Sequence, residues 1–530
     1  MSSQRISIIA VLIISLGILG VILFGDRVTA LRIAKPTLAL SYEEIDAIPY
    51  VRFLLPASEN RGLKTDLCST VFDEDELMQY FIVPRSLDIR HTVCYAVDAS
   101  DNYLNRYEID FSEENSCNIG LRHLEPVYTE LPVMAIDIDE DSPSFEDLIA
   151  SDKTVECFGN MRVSVDSELA GKKHWIEEIY SKDTVQDTAG AMRLRGRGNT
   201  TWQYSPKKSF TLEMDEAVHM LGLGKHRSFN LISNSQDKTL LNNEVFLDMA
   251  KNAGLPYEPG HEQVTLYVNG QYQGVYLLTT KVKADKGCIP LKDGDFLVNW
   301  GDPSPEQRVD LVTSLWLDDE QTIKTYANIV WPKEETAEEV VFQQQILQRF
   351  LGAVENIEDN SYTDIVDIDS MIRYYWVQEI SMNYDADYRS VYSYYKADRD
   401  KIFMGPIWDM DLTLGWNAAK GGNSFTEPVG WKVRGLSWYA SLFEREEFRQ
   451  AVSEMYWNGG IREAMLTALE QYEKRMEEMN NDGYLNFRRW RSDWPALWLK
   501  YGDSYNEEAE GRLDFFRQRV EWIDSEMSRQ

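Results

Sequence analysis

Five basic residues surround two glycines in the stretch RLRGRGNTTWQYSPKKSF at residues 193–210. They are Arg193, Arg195, Arg197, Lys207 and Lys208. The whole chain carries a formal net charge of −33, so this stretch is a local reversal of sign. Such a reversal typically marks a place where an anion binds. The alternative is a solvated basic patch that balances acidic neighbours.

The spacing of these residues predicts a strand, a loop and a second strand. On the first strand the three arginines recur with period two and therefore share one face. Gly196, Gly198 and Asn199 then form a loop that can approach a ligand closely and direct backbone N–H groups at it. On the return strand Lys208 shares a face with the apolar residues at every second position after it. We therefore predict that Lys208 points into an apolar interior, where it needs a phosphate or carboxylate partner.

A predicted β-hairpin at residues 391–408 leads to Asp409 and Asp411, which lie two residues apart in an extended segment. Their carboxylates therefore share a face. Both are flanked by apolar side chains, and this setting suits Mg²⁺, which takes one or two carboxylates together with phosphate oxygens. The pattern predicts Asp409 as a metal ligand.

The helix before this hairpin runs into Asn383, Asp385 and Asp387. In protein kinases, a glycine-rich loop and a strand lysine are followed along the chain by a loop aspartate, a β-hairpin and a metal-binding aspartate. The candidate residues of this chain occur in the same order. The kinase strings HRD and DFG are absent, so this likeness is one of arrangement only. For Asp385 or Asp387 alone, the alternative is a turn residue at the end of the helix.

Four strings together resemble the CotH family of spore-coat-type atypical protein kinases. They are RGRGNTTWQYSPKKSF, SNSQDKTLLNNEVFLDMAKNAGLPY, LYVNGQYQGVYLL and GPIWDMDLTLGW. The resemblance covers roughly residues 131–450, and LSWYASLFEREEFRQAV at 436–452 looks like the helical C-terminal part of that family. It implies an atypical, secreted-kinase-like fold that binds Mg-ATP and phosphorylates Ser or Thr of a protein.

Position by position, the resemblance implies that Lys208 grips the nucleotide phosphates and that Asp385 is the catalytic aspartate. Asp409 resembles the metal aspartate, with Asn383 and Asp411 as supports. The implied cofactors are ATP and Mg²⁺, with Mn²⁺ as a substitute. The other implied nucleotide-binding residues, in the glycine-loop motif of the family, are Arg195, Arg197, Gly198 and Asn199.

Two departures from the family pattern keep a second function open. The family usually has a glutamate where this chain has Thr280, and it commonly has Arg-Asn where this chain has Asn242-Asn243. Loss of an acidic partner would weaken lysine positioning or nucleotide binding. The alternative is therefore a catalytically inactive envelope or surface scaffold that binds partners. A third function, carbohydrate or wall binding through the N-terminal region, has poor support because residues 36–130 contain no Trp.

The elements that must position these residues belong to a mixed α+β chain. We expect an N-terminal signal anchor at 1–35, a small β-rich domain at 36–130 and an atypical protein-kinase-like domain at 131–530 with a helical C-terminal part. Within the last unit, the spacing predicts a helix over 239–254 and a hairpin over 263–279.

The N-terminus predicts an anchor, because residues 6–24 are uncharged and about as long as the ~20 apolar residues that cross a bilayer. VTA at 28–30 is a mediocre cleavage site, which favours an uncleaved single-pass segment in the cell membrane. Arg27 and Arg32 follow the span, and strict charge counting would place the body inside the cell. N-terminal segments before long domains more often act as export signals, so we expect an extracytoplasmic body.

Charge and cysteine usage narrow the expected partners. The excess of 87 acidic over 54 basic residues argues against general binding to nucleic acid or to an anionic membrane surface. The expected partners are a protein substrate with Ser or Thr acceptors, which the family resemblance implies, and the membrane through the N-terminal helix. The five cysteines show no CxxC or His pairing, so spacing signals no zinc site. One or two disulfides in the N-terminal third and buried free thiols are both compatible with the sequence.

Overall fold

The computed structural model describes the backbone of seven strands between residues 41 and 110 and most of the chain after residue 130. The described ranges after residue 130 are 131–164, 188–269, 271–303, 312–316, 322–333, 335–416, 419–420, 423–490, 501 and 505–529. The predicted anchor at 1–35 lies outside them. Among the described residues, no helix combines the length and the apolar character needed to cross a bilayer.

The N-terminal strands form two antiparallel sheets with the orders β1-β2-β5-β4 and β3-β6-β7. Their bounds are β1 (Ser41–Ile45), β2 (Ile48–Pro56), β3 (Gly62–Thr65), β4 (Val71–Asp73), β5 (Met78–Pro84), β6 (His91–Val97) and β7 (Tyr103–Asp110). They lie inside the region 36–130 that we predict to be β-rich.

A closed seven-stranded barrel follows, in the order β10-β11-β12-β14-β13-β8-β9. Its strands are β8 (Val133–Ile138), β9 (Glu156–Ser164), β10 (Thr188–Arg197), β11 (Ser209–His219), β12 (Lys225–Ile232), β13 (His261–Val268) and β14 (Gln271–Thr280). Neighbours are antiparallel except β13 and β8, which are parallel. The short helices α1 (Phe145–Ala150) and α2 (Thr200–Tyr204) connect β8 to β9 and β10 to β11.

Period two along β10 separates the barrel core from the outer face. Leu194 pairs with Leu212 and both are buried in the core, whereas Arg195 pairs with Thr211 on the other face. The prediction that the three arginines share a face is therefore confirmed. Gly196 has a steric role, because a Cβ at this position would overlap the ring of Trp202 in α2, which covers the end of the barrel.

The C-terminal part combines a second sheet with helices. The sheet has the order β16-β17-β15-β18-β19, with β15 (Phe296–Gly301), β16 (Val312–Trp316), β17 (Thr322–Trp331), β18 (Val391–Lys396) and β19 (Lys401–Met404), and a two-stranded sheet holds β20 (Ala419–Lys420) and β21 (Asn423–Ser424). The helices are α3 (Asn242–Asn252), α4 (Ala337–Glu355), α5 (Tyr362–Ile365), α6 (Ile368–Ser381), α7 (Ser437–Phe443), α8 (Glu446–Asn458), α9 (Ile461–Glu478), α10 (Asn480–Trp490) and α11 (Tyr505–Met527).

Helix α6 lies in the centre of this part and ends next to the predicted site. It begins at the N-cap Asp367, whose carboxylate accepts from Ser370 N at 2.9 Å, and it ends at Met382 in the left-handed conformation. Near its end, Glu379 forms a fully buried ion pair with Arg519 of α11 at 2.6 Å. This pair fixes the end of α6 against α11, since an unpaired buried charge would be costly.

The prediction of a mixed α+β chain is confirmed, and so are the helix and the two hairpins. Helix α3 lies within 239–254, β13 and β14 pair within 263–279, and β18 pairs with β19 within 391–408. The likeness to protein kinases in architecture stays a prediction.

Candidate functional site

Asp409 follows β19 in an unusual backbone conformation. Its φ is +65°, which is rare for a residue other than glycine and is maintained only where the surroundings fix it. Three contacts fix this loop. Ser390 Oγ donates to Asp409 Oδ2 at 2.9 Å, Met410 N donates to Asn243 Oδ1 at 2.8 Å, and Ile407 N donates to the Glu258 carboxylate at 3.0 and 3.2 Å. The exposed Asp409 side chain is thus held in place for a ligand.

Asp411 lies beside three other carboxylates. Burial raises the pKa of Asp411 well above its usual range, and the charges of Asp409, Asp385 and Asp237 raise it further. No three of these four groups, all in the described part of the chain, bring carboxylate oxygens within 4.8 Å of one another. Such an open acidic cluster suits Mg²⁺, which keeps several waters and binds few protein oxygens, and a divalent cation would relieve the repulsion.

The loop after α6 places Asp385 next to this cluster. Asp385 N donates to Asn383 Oδ1 at 3.0 Å, and the amide of Asn383 donates to Met410 Sδ at 3.5 Å. Two backbone bonds join the same loops, from Tyr384 N to Leu412 O at 3.1 Å and from Leu414 N to Ser381 O at 2.9 Å. Asn383 is buried and shapes the loop with both ends of its amide, and its role as a metal ligand stays a prediction.

Of the two loop aspartates, Asp385 is the more accessible. It is half-buried, whereas Asp387 is 1% exposed and lies near the phenols of Tyr374 and Tyr439 in the core. The Tyr388 hydroxyl hydrogen-bonds to Asp385. This arrangement favours Asp385 over Asp387 as the group that meets a substrate.

Arg197 brings the glycine-rich segment to the acidic cluster. Its guanidinium lies over the ring of Trp408, 5.4 Å from the centroid. Burial lowers the pKa of Arg197, and the nearby charges of Asp409 and Asp411 counteract that shift. The end of β10 and the loop after β19 therefore form one site that carries both signs of charge.

Arg195 and Lys281 extend the basic side of this site. Burial lowers the pKa of Lys281 to about 8, and the positive charges of Arg195 and Arg197 contribute to that shift. Arg193, on the same face of β10, is instead paired with Glu213 at 2.6 Å and Glu156 at 3.1 Å. Arg195, Arg197 and Lys281 are thus the cations that an anion would meet here.

The prediction that Lys208 points into the apolar interior is wrong, because Lys207 is the fully buried member of this adjacent pair of lysines. The Lys207 ammonium donates to the carbonyls of Ser233 (2.8 Å) and Val275 and to Asn486 Oδ1 at 2.7 Å. Its pKa is lowered well below the usual range by burial. Lys208 is half-buried, and its ammonium donates to the carbonyl oxygen of Trp202 at 2.5 Å. Lys207 is thus a structural group that joins the segment before β11 to the end of β12, to β14 and to α10.

Lys208 and Asn199 line a separate cavity of about 630 Å³ at the end of the barrel. Lys153 contributes to it and holds the glycine loop, because its ammonium donates to Gly198 O at 2.8 Å and to Asn199 Oδ1 at 3.3 Å. Gly198 has a φ of +91°, which a residue with a side chain adopts only under strain. Asp385, Asp409 and Arg197 do not line this cavity, so the predicted site residues fall into two groups. The cavity is lined by Ile149, Ala150, Ser151, Asp152, Lys153, Asn199, Trp202, Gln203 and Lys208.

Sequence reasoning missed Asp237, Lys238 and Lys281, and it named Asn243 only as part of a departure from the family pattern. The Asp237 carboxylate accepts from Asn242 N at 2.8 Å and so holds the start of α3 near Asp411. Burial lowers the pKa of Lys238 to about 7, although Asp237 and Asp411 counteract it. Three of these four residues lie in the string SNSQDKTLLNN, which is part of the family resemblance. That resemblance was the signal by which they could have been found.

A comparison with the profiles of known protein families shows to which family the chain belongs. The profile of the family described as CotH kinase protein matches residues 194–523, more than half of the chain. The chain belongs to the CotH kinase family. The match begins in β10 and ends in α11, so Arg197, Asp385, Asp409 and Asp411 all lie inside the CotH kinase region. No curated protein matches the chain significantly.

The two departures from the CotH pattern have structural consequences. Thr280 is buried, and its hydroxyl oxygen accepts from Gly260 N at 3.0 Å, so the end of β14 offers no acidic group at that position. Asn242 is buried, and its Oδ1 accepts from the Tyr472 hydroxyl at 3.2 Å. In this CotH chain both positions serve packing within the described residues.

Proposed function

We propose that this chain is a protein kinase that transfers the γ-phosphoryl group of Mg-ATP to Ser or Thr hydroxyls of a protein substrate. One observation carries the proposal. The Arg197 guanidinium, on the glycine-rich segment, lies over the ring of Trp408, next to Asp409, and the charges of Asp409 and Asp411 act on it. Groups suited to phosphate and groups suited to a metal ion therefore form a single site. Membership of the CotH kinase family supports the same reaction class.

The basic groups and the acidic groups would have different roles in binding Mg-ATP. Arg195, Arg197 and Lys281 would neutralise the phosphate oxygens, while Asp409 and Asp411 would hold Mg²⁺ or Mn²⁺. The bound metal ion would supply electrostatic stabilisation of the charge that develops on the phosphate oxygens. Lys208 remains a proposed phosphate ligand, although its ammonium donates to the Trp202 carbonyl and would have to leave it.

Asp385 would orient the attacking hydroxyl and accept its proton. In this step the hydroxyl oxygen bonds to the γ-phosphorus, the bond from that phosphorus to the β-γ bridging oxygen breaks, and ADP leaves. The half-buried position of Asp385 next to Asp411 fits this role, because the base must reach both solvent-borne substrate and the metal-bound phosphates. Most of the catalysis would come from positioning and electrostatics.

The test follows phosphate incorporation from γ-labelled ATP into the chain itself and into a Ser-rich protein acceptor, with Mg²⁺ or Mn²⁺. We expect metal-dependent incorporation that is lost in Asp409→Ala and Asp385→Asn and retained in Arg193→Ala. Absence of incorporation together with absence of metal-dependent ATP binding would overturn the proposal.

A second function has its own support in Thr280. Thr280 supplies no acidic group at the end of β14, next to Lys281, which fits an inactive scaffold that binds partners at the cell envelope. Metal-dependent ATP binding without transfer would favour the scaffold. The proposed setting for either function is the membrane, with a single N-terminal span and an extracytoplasmic body.

A further inference from the structure

Three potential metal ligands meet at one side of the barrel, away from the aspartate loops in sequence. His226 lies on β12, and Asp285 and Cys288 lie in the segment after β14. One ligand atom from each of the three residues lies within 4.8 Å of the other two. Among the described residues, this is the one group of His, Cys, Asp or Glu side chains that meets so closely.

A tight turn at residues 283–289 presents Asp285 and Cys288 together. Ile289 N donates to Lys283 O at 3.1 Å and Cys288 N donates to Asp285 O at 3.2 Å. Gly287 N donates to Asp285 Oδ1 at 2.7 Å. A Cβ at Gly287 would lie 3.0 Å from Cε1 of His226, so the absence of a side chain lets the turn reach the imidazole ring. The turn and β12 are therefore in direct contact.

The imidazole ring of His226 is held in one orientation. The residue is 6% exposed, and its ring packs edge-on against Phe229 with centroids 6.0 Å apart. Its Nε2 lies 3.1 Å from the carbonyl oxygen of Leu223. Metal-binding histidines commonly donate one ring N–H to a carbonyl in this way, while the other ring nitrogen binds the metal ion.

We propose that His226, Asp285 and Cys288 bind a transition-metal ion, with Zn²⁺ as the best fit. An imidazole, a carboxylate and a thiolate are the ligands that zinc takes in proteins, and three protein ligands leave the fourth tetrahedral position to water. A thiolate and a carboxylate together supply two negative charges, which balance one divalent cation. Ligand atoms around tetrahedral zinc are ~3.3–3.8 Å apart, so a small inward movement of the three side chains completes the site.

Asp285 and Cys288 each make a contact that a metal ion would displace. Lys283 Nζ lies 2.5 Å from Asp285 Oδ2, and Cys288 Sγ donates to Lys281 O at 3.4 Å. Burial and the charge of Asp285 raise the pKa of the Cys288 thiol to about 11. Metal binding would remove the proton of this thiol, since the thiolate is the ligand. The bound ion would fasten the turn to β12 next to Lys281.

This site differs from the acidic cluster in metal preference. Soft thiolate ligands select zinc, copper or iron, whereas carboxylates with water select Mg²⁺. The inference is independent of the proposed kinase reaction, because its tests use no nucleotide.

The first test titrates the reduced, full-length chain with Co²⁺, a spectroscopic substitute for Zn²⁺. We expect thiolate-to-cobalt charge-transfer absorption at one equivalent, displaced by Zn²⁺ and unaffected by excess Mg²⁺. Cys288→Ser and His226→Gln should abolish it, and Cys157→Ala should retain it, since Cys157 is a free thiol in the barrel core. Absorption that persists in Cys288→Ser, or none in the wild-type chain, would overturn the proposal.

A second test needs no variant and so does not depend on how the variants fold. Alkylation of Cys288 in the native chain is followed by peptide mass spectrometry, with and without Zn²⁺. At a free Zn²⁺ concentration about ten times Kd, alkylation should slow about tenfold, while Mg²⁺ at the same concentration has no effect. Equal alkylation rates with and without Zn²⁺ would contradict the site.

Discussion

The guanidinium of Arg197 lies over the ring of Trp408, the residue before Asp409, although Arg197 and Asp409 are far apart in the sequence. Arg197 ends β10 on the outer face of the barrel, and Asp409 follows β19 with a φ of +65°. The centroid of the Trp408 ring is 5.4 Å from the guanidinium, so this contact joins the end of β10 to the loop that carries Asp409. This relationship turns two separate sequence signals, a basic glycine-rich stretch and an aspartate pair, into one candidate site.

Replacement of Arg197 tests the basic side of the site. Arg197→Ala should lower kcat/KM for ATP by about 10–100-fold, because it removes charge-assisted contacts to phosphate worth ~1.5–3 kcal/mol. Arg193→Ala is the matched control, since its guanidinium is occupied by Glu213 and Glu156. Steady-state kinetics at fixed Mg²⁺ measures both. Equal losses in the two variants would mean that the effect is general to the strand.

Replacement of Asp385 tests the proposed base. Asp385→Asn should lower kcat by about 10²–10⁴-fold and change ATP affinity little, because a general base acts in the transition state. Asp387→Asn should instead lower the melting temperature, since Asp387 is buried near Tyr374 and Tyr439. Single-turnover kinetics and thermal unfolding separate these outcomes. A kcat loss confined to Asp387→Asn would reverse the assignment.

The raised pKa of Asp411 predicts how stability depends on pH. A carboxyl group with a raised pKa binds its proton more tightly in the folded chain than in the unfolded chain. Its contribution to stability therefore declines as pH rises from the ordinary pKa of about 4 through the raised value. Asp411→Asn should flatten this decline and raise Tm by a few degrees at neutral pH without Mg²⁺.

The control for that measurement is Asp400→Asn. Hydrogen bonds from Arg349 lower the pKa of Asp400, so this residue stabilises the fold above its ordinary pKa and its loss should lower Tm at neutral pH. Melting curves from about pH 4 to about pH 8, with and without Mg²⁺, test both signs. A Tm of Asp411→Asn below that of the wild-type chain at neutral pH would contradict the like-charge cluster.

The buried pair of Glu379 and Arg519 should dominate the stability of the helical part. Glu379 also accepts from the backbone N–H groups of residues 432–434 at 2.6–2.9 Å, so the pair fixes α6, α11 and that segment. Arg519→Ala should cost about 3–5 kcal/mol of unfolding free energy. The exposed pair of Arg517 and Glu473 is the control, and Arg517→Ala should cost less than about 1 kcal/mol. Denaturant unfolding measures both, and similar costs would contradict the assignment.

Substitutions of the adjacent residues Lys207 and Lys208 should separate effects on folding stability from effects on ATP binding. Lys207→Ala should lower the free energy of unfolding strongly, because the buried acceptors of Ser233, Val275 and Asn486 would lose their donor. Lys208→Ala should leave stability nearly unchanged and weaken ATP binding. Denaturant unfolding with ATP titration measures the pair. If Lys208→Ala binds ATP as the wild-type chain does, the phosphate role carried over from the family is lost.

Sequence alone predicted the features that depend on local periodicity. The shared face of the arginines follows from period two within β10, and the hairpins follow from turn residues between alternating runs. The same rule failed for Lys207 and Lys208 because β11 begins at Ser209, so both lysines precede the strand and its alternation does not apply to them. Helix α2 in the loop, with Trp202 over Gly196, also went unpredicted.

Features that depend on distant contacts could not be predicted from the sequence. Asp237 and Lys281 join the site because the barrel and the aspartate loops meet in three dimensions. The spacing of His226, Asp285 and Cys288 matches no metal motif, since β12 and the turn after β14 approach only in the folded chain.

The most direct test of the account is a double-mutant cycle on Mg-ATP affinity, with Arg197→Ala, Asp409→Ala and the double variant measured by calorimetry. If both residues serve one nucleotide site, their effects on binding free energy are non-additive by at least about 1 kcal/mol, and the coupling depends on Mg²⁺. Effects that add within about 0.5 kcal/mol, or wild-type chain that does not bind Mg-ATP, would contradict the single site.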